Sequence, residues 1–351
     1  MNGSLRRRFL ANMSLGGTMA FLQRTAYAQQ NQQTGARPAS FHYGPDNPSE
    51  TYVKHAYDEQ TVDLGEVKMN YVVEGSANSP ALLLIPGQTE SWWGYERVIG
   101  LLKDSFHVHA IDLRGQGRST RTPGRYTLDN MGNDLVRFIA LVIRRPAVVS
   151  GLSSGGVLSA WMSAYAMPGT VRGCLYEDPP LFSSEVNPAY GQSIRQSAVG
   201  ATFASWAKFL GDQWSIGDWK GLQESGQRAL PDGTRAPRMQ EPPQNLKEYD
   251  PEWGRSFWTG AWAASCDHAQ MLSHVKVPVL FTHHQRRIDE KTGILMGATS
   301  DLQASRVREI VQATGQPIEY KSFPAMGHPM HQIDPALFAN TLTAWAEKLK
   351  A

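Results

Sequence analysis

The chain is poor in cysteine and has almost no excess of charge of either sign. Only Cys174 and Cys266 occur in 351 residues, which excludes a disulfide-rich scaffold and a zinc site built from four thiolates. The two can be buried thiols or one disulfide, and the sequence leaves this open. Lys and Arg total 34 against 32 Asp and Glu. The longest basic run is Arg6 to Arg8, so no basic face for nucleic acid is predicted.

Acidic residues are absent from residues 1–28, which carry four arginines. A basic head precedes the moderately apolar stretch Phe9 to Leu22, and Ala26 to Ala28 form a small-x-small cleavage site. The apolar stretch is too short and too polar to span a bilayer. Residues 1–28 are therefore predicted to be a signal peptide cleaved before Gln29, the alternative being an ordinary N-terminal amphipathic helix.

Within this segment, Ser4 to Leu10 resembles the twin-arginine export signal, in which Ser or Thr precedes two arginines, any residue and then Phe-Leu. Leu5, directly before the arginine pair, departs slightly from that pattern. The resemblance implies that the protein is exported already folded, to the bacterial periplasm or beyond.

The rest of the chain has enough apolar material for one large core. Hydrophobic residues make up 41% and aromatic residues 10% of the sequence, which excludes disorder as the main state. Residues 29–58 are rich in Gln, Asn, Pro, Ser and Gly and are predicted to be an arm or linker. Beyond them, helix-length patterns such as Leu135–Ile143 and Val157–Tyr165 alternate with apolar runs, which predicts an α/β fold with a doubly wound, mostly parallel sheet. These runs are Leu82–Ile85, His107–Ile111, Ala147–Val149, Gly173–Tyr176 and Val277–Phe281.

The alternation stops over residues 182–272, where six of the ten tryptophans lie. We expect an inserted helical cap there, over a core formed by residues 59–181 and 273–351. Aromatic side chains bury large flat surfaces, so several tryptophans are predicted to line a substrate pocket. Each could instead be ordinary core. The candidates are Trp92, Trp93, Trp206, Trp214 and Trp258.

The motif Gly-x-Ser-x-Gly at Gly151–Gly155 lies directly after a predicted strand and before a predicted helix. A serine in this context sits on a sharp turn that exposes its hydroxyl, so Ser153 is the predicted nucleophile. Serine needs a base, and His328 follows the predicted last strand, with His331 as its nearest competitor. Polarising a carbonyl also needs amide donors, for which the sequence predicts Gln88 and Ser154.

Other histidines do not form a recognisable metal motif. His283, His284 and the segment Cys266–His268 lack zinc-ligand spacing. They are predicted to be structural, and no metal or organic cofactor is expected.

Four landmarks in this order resemble the α/β-hydrolase family. They are Gly87-Gln88 after a strand, Asp-x-x-Gly-x-Gly-x-Ser at Asp112–Ser119, the elbow at Gly151–Gly155, and the terminal Gly327-His328. The family usually has His where this chain has Pro86. The resemblance covers about residues 60–351 and implies the α/β-hydrolase fold and a Ser-His-acid triad.

The resemblance leaves the acid of the triad open. Most family members carry an Asp after the penultimate strand, a position that Asp289 fills without the usual Gly-x-x-Asp form. The other known position ends the strand after the nucleophile helix, where Glu177 and Asp178 point to opposite sides. Zearalenone lactonases and herbicide-cleaving carboxylesterases carry a Glu in a similar setting. We therefore predict Glu177, then Asp289, then Asp178.

These observations predict an exported serine hydrolase that cleaves a carboxylic ester or lactone of a bulky apolar or aromatic substrate through an acyl-enzyme. A zearalenone-type macrolactonase, a prolyl-aminopeptidase-like enzyme and a carbon-carbon bond hydrolase remain alternatives with the same triad. Epoxide hydrolases and haloalkane dehalogenases of the family use an Asp nucleophile, so Ser153 argues against both. A second class is a non-catalytic binding protein on the same fold. The expected partner is a small molecule, and the oligomeric state is not predicted.

Overall fold

A computed structural model of the protein describes residues 48–185, 190–196, 198–209, 218–226 and 241–349. The predicted signal peptide, most of the predicted arm and Trp214 lie outside the described residues. In the part that is described, no helix is both long and apolar enough to cross a membrane.

A mixed sheet of eight strands forms the centre of the described chain. Its strands are β1 (Glu59–Asp63), β2 (Lys68–Glu74), β3 (Ala81–Ile85), β4 (His107–Ile111), β5 (Ala147–Leu152), β6 (Val171–Glu177), β7 (Val279–His283) and β10 (Ile318–Ser322), while β8 (Arg287–Ile288) and β9 (Leu295–Met296) form a separate pair. The order is β1-β2-β4-β3-β5-β6-β7-β10. Within this eight-stranded sheet, only the pairs β1–β2 and β2–β4 are antiparallel. The predicted mostly parallel sheet is therefore confirmed.

Helices cover both faces of this sheet. They are α1 (Glu96–Leu102), α2 (Leu128–Phe138), α3 (Ser154–Tyr165), α4 (Ala198–Phe209), α5 (Trp219–Gly226), α6 (Gln244–Lys247), α7 (Pro251–Thr259), α8 (His268–Leu272), α9 (Asp301–Ala313), α10 (Met330–Ile333) and α11 (Pro335–Ala346). A π-helical segment, Ile139–Ile143, continues α2. Side-chain caps set several starts: the Ser300 hydroxyl, for example, accepts from the Gln303 amide at the start of α9.

The inner strands read as continuous apolar runs because both of their faces are buried. In β3, Leu83 packs with α2 and α3 in one hydrophobic cluster, whereas Leu84 packs with α1 and α11 in the other. Cys174 and Cys266 are both buried free thiols, so the disulfide alternative does not occur.

The described part of the segment between β6 and β7 contains five α-helices, α4 to α8, joined by turns and loops. Helices α4 and α7 pack together through Phe203 and Phe257, whose ring centroids lie 5.2 Å apart. Because β3, β5, β6, β7 and β10 are consecutive parallel strands in this sheet, the loops after them meet at one edge, and the candidate site lies there.

Candidate active site

Ser153 lies at a strained turn between β5 and α3. Its backbone has φ 54° and ψ −120°, a conformation that residues other than glycine rarely adopt. A Cβ atom at position 151 would lie 2.1 Å from the carbonyl oxygen of Gly155, and one at position 155 would lie 2.5 Å from that of Ile85. The two glycines of the motif therefore allow the close approach of strand and helix that exposes Ser153.

His328 follows β10 and pairs with Asp178 at the end of β6. Its Nδ1 lies 2.6 Å from Oδ2 of Asp178, and the imidazole is 43% exposed while the carboxylate is 2% exposed. The other carboxylate oxygen, Oδ1, accepts a hydrogen bond from the amide of His284 at 3.0 Å. The acid is thus fixed on one side by β7 and orients the imidazole on the other.

The predicted pairing of Glu177 with His328 is wrong. The Glu177 carboxylate is fully buried and its Oε2 lies 3.0 Å from Nδ1 of His331. Consecutive side chains of a strand point to opposite faces, and Asp178 then leaves the strand with φ 42°. This turn directs Asp178, which was the third choice, to His328 and leaves Glu177 on the far side.

Asp289, the second choice, is also not hydrogen-bonded to His328. It stands between β8 and β9, where its Oδ1 accepts from the amides of Lys291 and Thr292 and from the Thr292 hydroxyl. These hydrogen bonds, those with Thr292 foremost, lower the pKa of Asp289. The carboxylate therefore closes a local turn.

The two groups of the His328–Asp178 pair shift each other's protonation. Burial alone would raise the pKa of Asp178, but the hydrogen bond and charge of His328 outweigh it and the pKa is lowered. Burial likewise acts to lower the pKa of His328, and the Asp178 carboxylate reverses this, so that the pKa is raised. The pair is therefore stabilised as imidazolium and carboxylate.

This shift predicts the pH dependence of any reaction that uses His328 as a base. A protonated imidazole cannot accept a proton, so kcat/KM should rise with pH and level off once His328 is neutral. Because the pKa of His328 is raised, the midpoint should lie above the ordinary histidine value of about 6.5. Initial rates from pH 5 to 9 with a neutral ester measure it, and a flat profile would contradict the role.

Two backbone amides lie close to Ser153. Ser154 is the first residue of α3, so its amide has no acceptor within the helix. Gln88 follows β3 and lines the same cavity as Ser153. Its turn is held from both sides, because the Gly87 carbonyl accepts from Nε2 of Gln116 at 2.7 Å and the Gly87 amide donates to Oε2 of Glu90 at 3.3 Å.

A cavity of about 340 Å³ opens over Ser153 and His328. Of the predicted tryptophans, Trp206 contributes to its wall, and Trp214 lies outside the described residues. The prediction is wrong for Trp92, Trp93 and Trp258, which are not among the lining residues. The residues that line the cavity are Gln88, Ser153, Asp178, Pro180, Ile194, Val199, Phe203, Trp206, Phe257, Gln285, Met296, Gly297, Ala298 and His328.

The three tryptophans that do not line the cavity contact other parts of the protein. Trp92 is fully buried and its Nε1 donates to Glu59 at 2.7 Å. Trp93 stacks on His55 and donates to Glu248, and Trp258 packs against the core. Phe203 and Phe257 also line the cavity and were not predicted from the sequence. Apolar residues at helical spacing along α4 could have indicated that Phe203 lies on its buried face.

His283 and His284, which the sequence predicts to be structural, both contact groups of the protein. His283 contacts the Tyr320 hydroxyl through Nδ1 and the Thr299 carbonyl through Nε2, and Nδ1 of His284 contacts the His328 carbonyl. In the portion of the chain that the structure covers, no cluster of three or more His, Cys, Asp or Glu could hold a metal ion.

Comparison with known proteins agrees with the fold. The 3-oxoadipate enol-lactonase 2 of Acinetobacter baylyi is 28% identical over 109 residues, 30% of this chain and 40% of that protein. Human epoxide hydrolase 4 is 26% identical over 196 residues, 54% of this chain and 53% of that protein. The chain thus spans less than two thirds of the length of these curated relatives.

A solved structure, the enol-lactonase from Burkholderia xenovorans, superposes with a TM-score of 0.56 at 16% identity, over 82% of this chain and all of that one. At this identity the likeness shows the fold alone. The model of the alpha/beta hydrolase family matches residues 82–341, which include the elbow, the strand-end acid and the loop histidine described above. With both the sheet order and this match in agreement, the chain belongs to the alpha/beta hydrolase family.

Proposed function

We propose that the protein is a serine hydrolase that cleaves a carboxylic ester or lactone through an acyl-enzyme. The observation that carries the proposal is the 2.6 Å contact between His328 and Asp178, with His328 and Ser153 lining one cavity. A buried acid, an oriented imidazole and a serine that lines the cavity at a strained elbow are the parts that this chemistry requires.

In this mechanism Ser153 Oγ attacks the carbonyl carbon and its proton passes to Nε2 of His328. Asp178 keeps the proton on Nδ1 and stabilises the imidazolium that forms. The amides of Gln88 and Ser154 donate to the oxyanion. Collapse of the tetrahedral intermediate expels the alcohol, which takes the proton from His328, and water then repeats the sequence to release the acid. For a lactone, alcohol and acid leave as one hydroxy acid.

The cavity favours an apolar or aromatic substrate. Its described wall is mostly apolar, with Phe203, Trp206 and Phe257 supplying aromatic surface, and Asp178 and His328, which the mechanism already uses, are the ionisable groups among the described lining residues. Such walls bury flat, uncharged groups well. An aromatic ester or lactone fits this description, and a resorcylic macrolactone such as zearalenone is a specific case to include in a screen.

Two alternatives to this chemistry are an epoxide hydrolase and a binding protein without activity. Epoxide hydrolases are among the matches, but family members with that activity use an Asp nucleophile where this chain has Ser153. A binding protein without activity would have no reason to keep a strained elbow, which costs on the order of 1–3 kcal/mol.

Export by the N-terminal signal remains part of the proposal, with residues 1–28 as the leader.

The test is covalent labelling of the protein lacking residues 1–28 with a fluorophosphonate. We expect one phosphonyl group per chain, which peptide mass spectrometry places on the peptide containing Ser153. A parallel screen of p-nitrophenyl esters, aromatic lactones, a prolyl anilide and a vinylogous diketone then separates the reaction classes. A well-folded protein that takes up no label would favour the binding protein.

A further inference from the structure

A second histidine–carboxylate pair lies behind the first one. Glu177 and His331 both have fully buried side chains. Nδ1 of His331 lies 3.0 and 3.1 Å from the two carboxylate oxygens, and the His331 amide also donates to Oε1 at 3.1 Å. The ring of Tyr95 stacks on the imidazole with 4.0 Å between centroids. The pair is rigidly held and does not line the cavity.

The pair leads to the turn that carries Gln88. Nε2 of His331 lies 3.8 Å from Oε2 of Glu90, close enough for charge attraction but too far for a hydrogen bond. That same oxygen accepts from the Gly87 amide at 3.3 Å, and Oε1 accepts from Nε2 of Gln332 at 2.9 Å. A short chain of contacts therefore runs from the end of β6 to the residue before Gln88.

His331 lies between two carboxylates, those of Glu177 and Glu90. The ionisable groups around His331 are Glu177, Glu90, His328 and the stacked Tyr95. Burial acts to lower the pKa of His331, but the two carboxylates, Glu177 foremost, raise it. Burial also raises the pKa of Glu90, and a protonated His331 would stabilise the carboxylates of both Glu177 and Glu90. Without it, Glu90 would repel an anion that forms at the Gln88 amide.

We propose that the Glu177–His331 pair, acting through Glu90, positions the Gly87–Gln88 turn so that the Gln88 amide points at the developing oxyanion. The inference rests on the proposed function and makes these three side chains positioning residues. Because they lie outside the cavity wall, their loss should lower kcat and leave KM nearly unchanged. Misplacement of a catalytic group by about 1 Å can cost roughly 100-fold in rate.

The first experiment compares His331→Gln with His109→Gln in the protein lacking residues 1–28. His109 is 1% exposed on β4, and its ring contacts the carbonyl of His107, so it controls for the loss of a buried histidine. For His331→Gln, we expect kcat for p-nitrophenyl butyrate and the rate of fluorophosphonate labelling to fall about 10- to 100-fold. KM should change less than about two-fold, since the interactions lost act only on the transition state. His109→Gln should lose stability and keep kcat.

A second pair of variants covers the case in which His331→Gln does not fold. Glu90 is 17% exposed, so its replacement is structurally milder. Glu90→Ala removes the acceptor for the Gly87 amide and should lower kcat about ten-fold or more. Glu90→Gln keeps an acceptor oxygen for the Gly87 amide but loses the charge that attracts His331, so it should recover only part of that loss.

The outcomes separate the two proposals. Wild-type protein that is not labelled by the fluorophosphonate would overturn the proposed function and this inference with it. Labelled wild type together with Glu90→Ala at the wild-type kcat, or with a folded His331→Gln at that kcat, would overturn the positioning role alone. A loss confined to KM would do the same, because it would place these residues in substrate binding.

Discussion

Replacing Asp178 by Asn is expected to lower kcat about 10⁴-fold, by analogy with the same exchange in serine proteases. The amide keeps an oxygen that can accept from His284, so the strand end should remain folded. It no longer carries the charge that stabilises imidazolium, and it can hold His328 in the wrong tautomer. The measurement is steady-state hydrolysis of a p-nitrophenyl ester with circular dichroism as the check on folding.

Two further acids provide the comparison for this variant. Asp289→Asn should leave kcat within about two-fold, since surface changes away from the site have small effects. Glu177→Gln should show the smaller, kcat-only loss of a positioning residue. Asp178→Asn should also move the pH midpoint to lower values, because the carboxylate is what raises the pKa of His328. If the large loss falls on Asp289, the assignment of the acid is wrong.

The order of Glu177 and Asp178 shows where sequence reasoning stops. Alternation along a strand predicts that only one of the two can face the loop of His328, but it does not say which. The answer depends on where β6 ends and on the positive φ of Asp178, a property of the three-dimensional loop. For the same reason the pairing of Glu177 with His331 could not be predicted, although the sequence makes both residues candidates for the triad.

The inner sheet was predictable because its strands are buried on both faces. The apolar runs at Leu82–Ile85 and His107–Ile111 coincide with β3 and β4 within one residue. The edge strand β1 was not predicted, since Glu59–Asp63 is largely exposed and offers no apolar run, and its neighbour β2 was not predicted either. Strands of that kind are specified by their neighbours in the sheet and not by their own sequence.

The cavity wall was the least predictable part. A tryptophan packs equally well in a core or against a ligand, so composition could not separate Trp92, which is fully buried in the core, from Trp206, which lines the cavity. The distinction comes from the helix on which each residue lies and from the face that helix turns to Ser153. Such information is tertiary, and the sequence pattern carries little of it.

Replacing Ser153 by Ala is expected to have the largest effect, a fall in kcat on the order of 10⁶-fold, as found for the equivalent exchange in subtilisin. Alanine can adopt the backbone conformation at this turn as readily as serine does, so the elbow should fold. The variant has no nucleophile and should take up no fluorophosphonate. Ser159→Ala is the matched control, because the Ser159 hydroxyl is buried on α3, the helix that follows Ser153, without a hydrogen-bond partner among the described residues.

Adding His328→Ala to Ser153→Ala should cost little more, because the groups of a triad act as one unit and their losses do not add. The residual rate should still exceed that in water by about 10³- to 10⁴-fold, since the oxyanion amides and the cavity remain. A double variant whose loss equals the product of the two single losses would mean that Ser153 and His328 act in separate steps. A single Ser153→Ala variant with more than about one hundredth of the wild-type rate would contradict the acyl-enzyme itself, because no other group described here could replace that hydroxyl.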